Sequence, residues 1–325
     1  MNIFTINIII VKKNKASAYF EFIFVYCFYV FLNILPVKLS LKFGMVLGVI
    51  FYKIDKKHRR HTHRNLKIAF PEKSEKEIDE ISIKFYKNLG MIFVEIFRLD
   101  KYNTGNIDDF VEQDFTNIKN IYGKQGILLL TAHFGNWELL AKTFSLKGFV
   151  GNVLARPLDN PYIEKILYKL RTRTGNKVIY NRENAVKNIL GALNAGEIVG
   201  FLPDENASKR IGVFVDFFGV KACTMPGMAN IAAKTKFPVI PAFIVRLDES
   251  NEFNEENVKK SGNYAKHRLI IEPPLDIKYT GDRKTDTMNI LKMFNEKIED
   301  IIKRYPEQWF WIHNRWKTKL DEENL

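Results

Sequence analysis

Among the 325 residues, His133 and Glu138 are placed where they could move a proton. Gly126 to Ala132 (GILLLTA) is a short apolar run after a glycine turn, the pattern of a buried strand. His133 follows it directly. Gly135 permits a tight backbone, Asn136 can cap, and Trp137-Glu138 open a stretch that reads as helix over 136–147. An acid five residues beyond a histidine, across one strand-to-helix turn, can reach an imidazole nitrogen. There it would fix the tautomer, stabilise the imidazolium and leave the other nitrogen free as a general base. The alternative is a structural histidine beside a helix N-terminal glutamate. No Ser or Cys adjoins His133, so a nucleophilic triad is not indicated. The patterns GxGxxG, GxxxxGK[ST], HExxH and GxSxG do not occur.

The elements that must position this turn alternate in type. Strands are expected at Val150–Ala155, Lys177–Tyr180, Glu197–Leu202, Val239–Arg246 and His267–Ile271. Helices are expected at Tyr162–Arg173, Arg182–Ala195, Met228–Lys236 and Thr287–Arg304. That alternation predicts an α/β fold with a mixed, mostly parallel sheet flanked by helices on both faces. In such sheets ligands gather beyond the C-terminal strand ends, where His133 sits and where Asp204 closes another apolar run. Upstream, residues 72–99 read as two helical stretches, with Ser74 and Glu77 able to form a capping box. Residues 102–122 read as a connector that can hold short strands, and the polar stretch 248–263 as a surface excursion.

Composition narrows the class. Hydrophobic residues are 46% and charged residues 27%, too apolar for a disordered chain. A mean hydropathy of -0.18 excludes a polytopic membrane protein. Two cysteines, Cys27 and Cys223, exclude a disulfide scaffold and a CxxC site. The net charge of +13, mostly from lysine, calls for a polyanionic partner: nucleic acid, anionic lipid or an acidic substrate. Residues 18–35 are apolar apart from Glu21, close to the roughly 20 residues that cross a bilayer. Three readings compete for them: a membrane anchor, a buried amphipathic helix, or a cleaved signal peptide. The third is weakened by the lack of a small-residue cleavage site. A second apolar stretch, Phe43–Tyr52, leads into the basic block 53–67, suited to a cytoplasmic, anionic lipid surface or, alternatively, a solvated helix face. The chain therefore divides into an N-terminal membrane anchor with an interfacial helix, 1–52, and a catalytic domain, 53–325. No metal site is expected. Only residues 53–67 resemble a nucleic-acid patch, and they lack interleaved aromatics, so no nucleic-acid partner is expected.

HFGNWE resembles the H-x4-D/E block of the lysophospholipid acyltransferase superfamily, in the form found in the lipid A biosynthesis (lauroyl/myristoyl) acyltransferases. Further blocks follow in order: ARPLDNPYIEKILYKLRTRTGNKVI, GEIVGFLPDEN, VDFFGVKACTMPGMANIAAKTKFPVIPAFI and RYPEQWFWIHNRWKT, together covering about residues 40–320. The chain departs from the family pattern at Glu205-Asn206 and at Asn314. The resemblance implies a glycerolipid-acyltransferase-like fold with an N-terminal membrane-anchoring helix. It implies transfer of an acyl chain from an acyl carrier protein thioester to a hydroxyl of a phosphorylated glucosamine lipid, with no other cofactor. His133 would be the base and Glu138 its orienter. Arg156 and Arg171 would lie on the substrate side as phosphate clamps or oxyanion partners, the alternative for each being a surface or structural ion pair, and Asp204 would orient an arginine, the alternative being a helix cap. Activity would sit at the cytoplasmic face of the inner membrane. Rival expectations are an acyltransferase for another membrane glycolipid or glycerophospholipid, and a non-enzymatic basic membrane-surface or nucleic-acid-binding protein. His313 is not expected to be catalytic.

Overall fold

A computed structural model describes residues 14–181, 184–247 and 267–320. Four helices come first: α1 Lys15–Ile34, α2 Val37–Ile54, α3 Lys56–Ala69 and α4 Glu75–Phe97. Pro36 and Asp55 separate the first three, and Asp55 caps α3 by accepting from the His58 backbone. The capping box at Ser74 and Glu77 forms and starts α4. α4 is one continuous helix where the sequence suggests two stretches, because its buried residues keep one face from Ile78 through Val94. Two single-turn helices, α5 Ile107–Phe110 and α6 Thr116–Lys119, flank β1 Val111–Gln113.

The α/β body follows: β2 Ile127–Leu130, α7 Trp137–Leu146, β3 Gly151–Ala155, α8 Pro161–Thr172, β4 Lys177–Tyr180, α9 Ala185–Asn194 and β5 Ile198–Phe201. A hairpin comes next, β6 Val213–Phe217 and β7 Val220–Thr224, then α10 Gly227–Thr235, β8 Val239–Arg246, β9 His267–Ile271 and α11 Arg283–Arg304. Seven strands form one sheet in the order β1-β9-β8-β2-β5-β3-β4. Every pairing is parallel except β8 with β9. The sheet is thus mixed and mostly parallel, as the alternating pattern predicts. The polar stretch 248–263 lies outside the described residues.

Burial explains why β2 and its neighbours are continuously apolar. Leu128 and Leu130 enter a core covered by α9, α10, α11 and α4. Ile127 and Leu129 enter a second core covered by α7 and α8. Alternate side chains feed opposite faces, so a strand covered on both sides has no polar positions. Three single-residue gaps of this logic matter upstream. Gly44 and Gly48 on α2 meet Gly90 on α4 so closely that a Cβ at Gly48 would sit 1.9 Å from the Tyr86 carbonyl oxygen. The inner face of α2 therefore packs directly on α4. α1 is the one described helix long and apolar enough to cross a membrane, which makes it a candidate anchor.

Candidate active site

β2 and β5 are hydrogen-bonded neighbours with Leu130 opposite Phe201. Their C-terminal extensions therefore run side by side and bring residues 131–133 next to 202–204. His133 donates its backbone N–H to Asp204 Oδ2 at 2.9 Å, and its Nδ1 lies 2.9 Å from Oδ1 of the same carboxylate. Trp309 Nε1 donates to Oδ2 at 2.8 Å. Asp204 is 2% exposed and meets three donors. Burial alone would raise its pKa, but the His133 imidazole and the Trp309 and backbone donors hold it below the usual carboxylate range. Burial also opposes charge on His133. The Asp204 carboxylate outweighs it, helped by Glu205 and then Glu138, and raises the imidazole pKa above its ordinary value.

The expected hydrogen bond between Glu138 and His133 does not form. Glu138 is the second residue of α7 and its side chain turns toward α8, where Arg171 takes it. Arg171 Nε donates to Oε1 and Oε2 at 3.1 and 2.9 Å, and Nη2 also donates to Oε1. Glu138 is 5% and Arg171 13% exposed, so this is a buried, two-pronged ion pair. Burial works against the Arg171 charge, but Glu138 raises its pKa. The site thus holds two separate pairs, His133 with Asp204 and Glu138 with Arg171. Asp204 orients a histidine rather than an arginine, and the fork of Arg171 is turned to a carboxylate rather than free for phosphate. Arg156 stands past the end of β3, two strands from β2 on the same sheet edge. It is two-thirds exposed and 3.7 Å from Asp159.

The turn bearing His133 is held from below. Gly135 adopts φ 53, and a Cβ there would come within 1.9 Å of the Ile244 carbonyl oxygen. Gly135 N–H donates to the Gln308 carbonyl at 2.9 Å, and Phe310 N–H to the His133 carbonyl at 3.0 Å. The Asn136 side chain caps α7 by accepting from Leu139 N–H at 3.0 Å. It also donates to Glu95 Oε2 at 2.9 Å. Glu95, 1% exposed, is gripped by Arg246 Nη1 and Nη2 at 2.7 and 2.6 Å. Burial would raise the Glu95 pKa, yet Arg246 and His267 hold it well below the usual range. Gln308 closes the network by bonding the Arg246 backbone on both sides, at 2.8 and 2.9 Å. A chain of hydrogen bonds, charge-assisted at Glu95, therefore ties the turn to α4, to β8 and to the C-terminal segment.

The His133 side chain is 23% exposed, and its Nε2 makes no hydrogen bond among the described residues. Trp137 and Phe310 flank the ring at centroid distances of 5.2 and 6.0 Å. Glu205, half exposed, places Oε1 4.0 Å from His133 Nε2 and 4.0 Å from His313 Nδ1. His313 Nε2 accepts from Asn206 N–H at 2.7 Å. Burial lowers the His313 pKa, which suits that acceptor role. Behind Trp137 and Glu138 lies a narrow apolar cavity of about 50 Å³, lined by Leu129, Leu140, Phe144, Val153 and Leu202. One nitrogen of His133 is thus fixed by a buried acid and the other is open, the arrangement of a general base. Sequence reasoning missed the pairing of His133 with Asp204, and the parts played by Trp309, Gln308 and Glu95. The signal available was that His133 and Asp204 each end an apolar run, which becomes a contact once those runs are neighbours.

A model of the bacterial lipid A biosynthesis acyltransferase family matches residues 11–318. The Escherichia coli lipid A biosynthesis lauroyltransferase is 30% identical over 288 residues, 88% of this chain and 87% of that protein. A Haemophilus influenzae lipid A biosynthesis acyltransferase is 27% identical over 303 residues, 92% of this chain and 88% of its own. The Escherichia coli lipid A biosynthesis myristoyltransferase is 23% identical over 281 residues, 85% of this chain and 80% of its own.

Proposed function

The chain belongs to the bacterial lipid A biosynthesis acyltransferase family and is an acyltransferase; from that premise we propose that it transfers a fatty acyl chain from acyl carrier protein to a hydroxyl of a lipid A precursor. The observation that carries the mechanism is the 2.9 Å contact of His133 Nδ1 with the buried Asp204 carboxylate. It keeps the proton on Nδ1 and the lone pair on Nε2, the partly exposed nitrogen left without a hydrogen-bond partner. The acceptor hydroxyl gives its proton to Nε2 while its oxygen attacks the thioester carbonyl. The tetrahedral intermediate collapses, the C–S bond breaks and the thiolate leaves. A thiol has a pKa of about 8.5, so the leaving group needs little acid help. The imidazolium, held by Asp204, returns its proton to the thiolate or to water.

Transfer is direct. Cys223 is fully buried, its Sγ 3.7 Å from the Ser208 carbonyl oxygen, and burial pushes its thiol pKa up, all unfavourable to an acyl-cysteine. Glu138 acts on His133 only at longer range, and its main task is to hold Arg171. No cofactor beyond the carrier-protein thioester is needed, and the reaction runs on the cytoplasmic face of the inner membrane. Mass spectrometry of lipid extracts tests this reading. Deleting the gene should remove one acyl chain from the lipid A species, and the wild-type gene should restore it where His133→Ala does not. An unchanged lipid A profile with a changed glycerophospholipid profile would overturn the assigned acceptor.

A further inference from the structure

We infer that α1 does not cross the bilayer but lies along the body, and that α1 and α2 together form one apolar platform seated in a single leaflet of anionic lipid. This deepens the membrane attachment in the reading above, and its test does not depend on activity.

By length alone α1 could span. Its 20 residues rise about 30 Å, the thickness of the hydrocarbon core. Its contacts argue otherwise. A helix standing upright in a bilayer leaves its soluble body at one end, whereas α1 is fastened at both. Near its start, Asn160 Nδ2 donates to the Ala18 carbonyl at 2.8 Å and to Glu21 Oε2 at 3.1 Å. Tyr162 packs on Tyr19 and Phe22, with centroids 5.7 and 5.6 Å apart. Midway, Phe28 meets Phe43, Phe93 and Phe97, each at 6.0 Å. At its end, Asn33 Nδ2 donates to the Phe97 carbonyl at 2.9 Å, and Arg98 Nη1 to the Leu35 carbonyl at 3.0 Å and to that of Leu32. The body follows α1 along its length.

What α1 leaves uncovered is apolar. Phe20, Phe24 and Ile34 are 72%, 75% and 77% exposed. α2 continues the surface with Leu39, Val46, Ile50 and Ile54, while its inner face carries Ser40, Gly44 and Gly48 beside a single large residue, Leu41. Small residues inside and large apolar residues outside reverse the order of a helix in water, and match helices that pack together in lipid. An exposed patch of this size marks an interaction surface. Charge selects the occupant. α3 follows α2 directly and exposes Lys56, Lys57, Arg60 and Arg64 at the platform's edge, where anionic headgroups would lie.

Native Cys27 sits in the middle of α1 and is exposed, whereas Cys223 is buried, so one thiol of the full-length protein can be labelled with a fluorophore. The protein is bound to phosphatidylethanolamine–phosphatidylglycerol vesicles carrying lipids brominated at different depths. A second probe is placed at Ile50→Cys in a Cys27→Ser background. Both probes should be quenched most by bromines near the glycerol end. Strongest quenching of the Cys27 probe by bromines at the chain terminus would mean a spanning helix and overturn the inference. No lipid quenching at Ile50→Cys would remove α2 from the platform. The double variant Val46→Glu/Ile50→Glu changes exposed positions and should keep its circular dichroism. Its vesicle-bound fraction should fall about tenfold, because apolar area gained from the leaflet is lost. Binding equal to wild type would contradict the inference, as would equal binding of wild type to phosphatidylcholine vesicles.

Discussion

Asp204→Asn is the substitution that separates the two acid-base pairs of the site. It keeps the side chain's shape but removes the charge and converts one acceptor oxygen into an NH₂. Three donors converge on Asp204: the His133 backbone, His133 Nδ1 and Trp309 Nε1. An amide cannot accept all three. If its NH₂ faces the imidazole, Nδ1 must become the acceptor, the ring proton moves to Nε2, and the base faces the substrate in the wrong tautomer. A hydrogen bond to a charged group contributes about 1.5–3 kcal/mol. At about 1.4 kcal/mol per tenfold, its loss at the transition state lowers kcat by roughly 10- to 150-fold. The pH profile moves as well. The base works when neutral, so the acid limb follows the His133 pKa, which Asp204 raises. In the variant that limb should shift to lower pH. Stability follows the same pair. The depressed Asp204 contributes above its ordinary pKa of 3.8 and loses that contribution as pH falls through its folded value. The raised His133 contributes fully below 6.5 and loses it as pH rises through its folded value. Their joint contribution is therefore largest between these limits and absent from the variant. The assay is initial-rate transfer from a radiolabelled acyl carrier protein thioester across the range in which histidine titrates, with thermal melts at each pH. A folded Asp204→Asn enzyme with wild-type kcat and an unmoved acid limb would refute the orienting role.

Glu138→Gln should leave the acid limb nearly in place but lower the melting temperature. It strands the Arg171 guanidinium, 13% exposed, and breaking such a pair costs about 3–5 kcal/mol; calorimetry at neutral pH checks this. Glu95→Gln should destabilise by a similar amount, about 3–5 kcal/mol. It should also slow turnover more than it weakens acceptor binding, because Asn136 and the His133 turn lose their support; kcat and KM measured separately decide this. Glu205→Gln should leave the melting curve unchanged and shift the acid limb to lower pH by less than Asp204→Asn does, since Glu205 raises the His133 pKa from 4.0 Å at an exposed position.

The strand, turn and helix around His133 were legible because β2 is a pure apolar run followed by a glycine turn. The partner of His133 was not. Glu138 is near in sequence, but the second residue of a helix points where the helix sends it, here to α8 and Arg171. Asp204 lies 71 residues away and becomes adjacent only through the register of β2 with β5. α3 was legible only as the alternative reading of the basic block, a solvated helix face, because its chemistry hides what it buries. Its buried stripe is Thr62, Asn65, Leu66 and Ala69, a helical spacing with polar members that shows no hydrophobic period. Asn65 is buried because its amide donates to the Trp311 and His313 carbonyls at 2.9 and 2.6 Å. The β6–β7 hairpin turns at Phe218-Gly219, both with positive φ. Phenylalanine is a poor turn signal; packing against Phe70 and Phe217 and a 2.7 Å hydrogen bond from its backbone N–H to Glu299 Oε1 hold it there.

Single-turnover transfer by His133→Ala tests the central claim most directly. The enzyme is mixed in excess with radiolabelled acyl carrier protein thioester and the lipid A precursor, and label is followed in lipid and in protein. General base catalysis is worth about 10²–10⁴-fold, so a folded His133→Ala enzyme should transfer label to lipid slower by about that factor. Wild-type enzyme should pass label to lipid with none held covalently on the chain. Near-normal transfer by a folded His133→Ala variant would contradict the account, as would a labelled acyl-protein in wild type that delivers its chain to the acceptor.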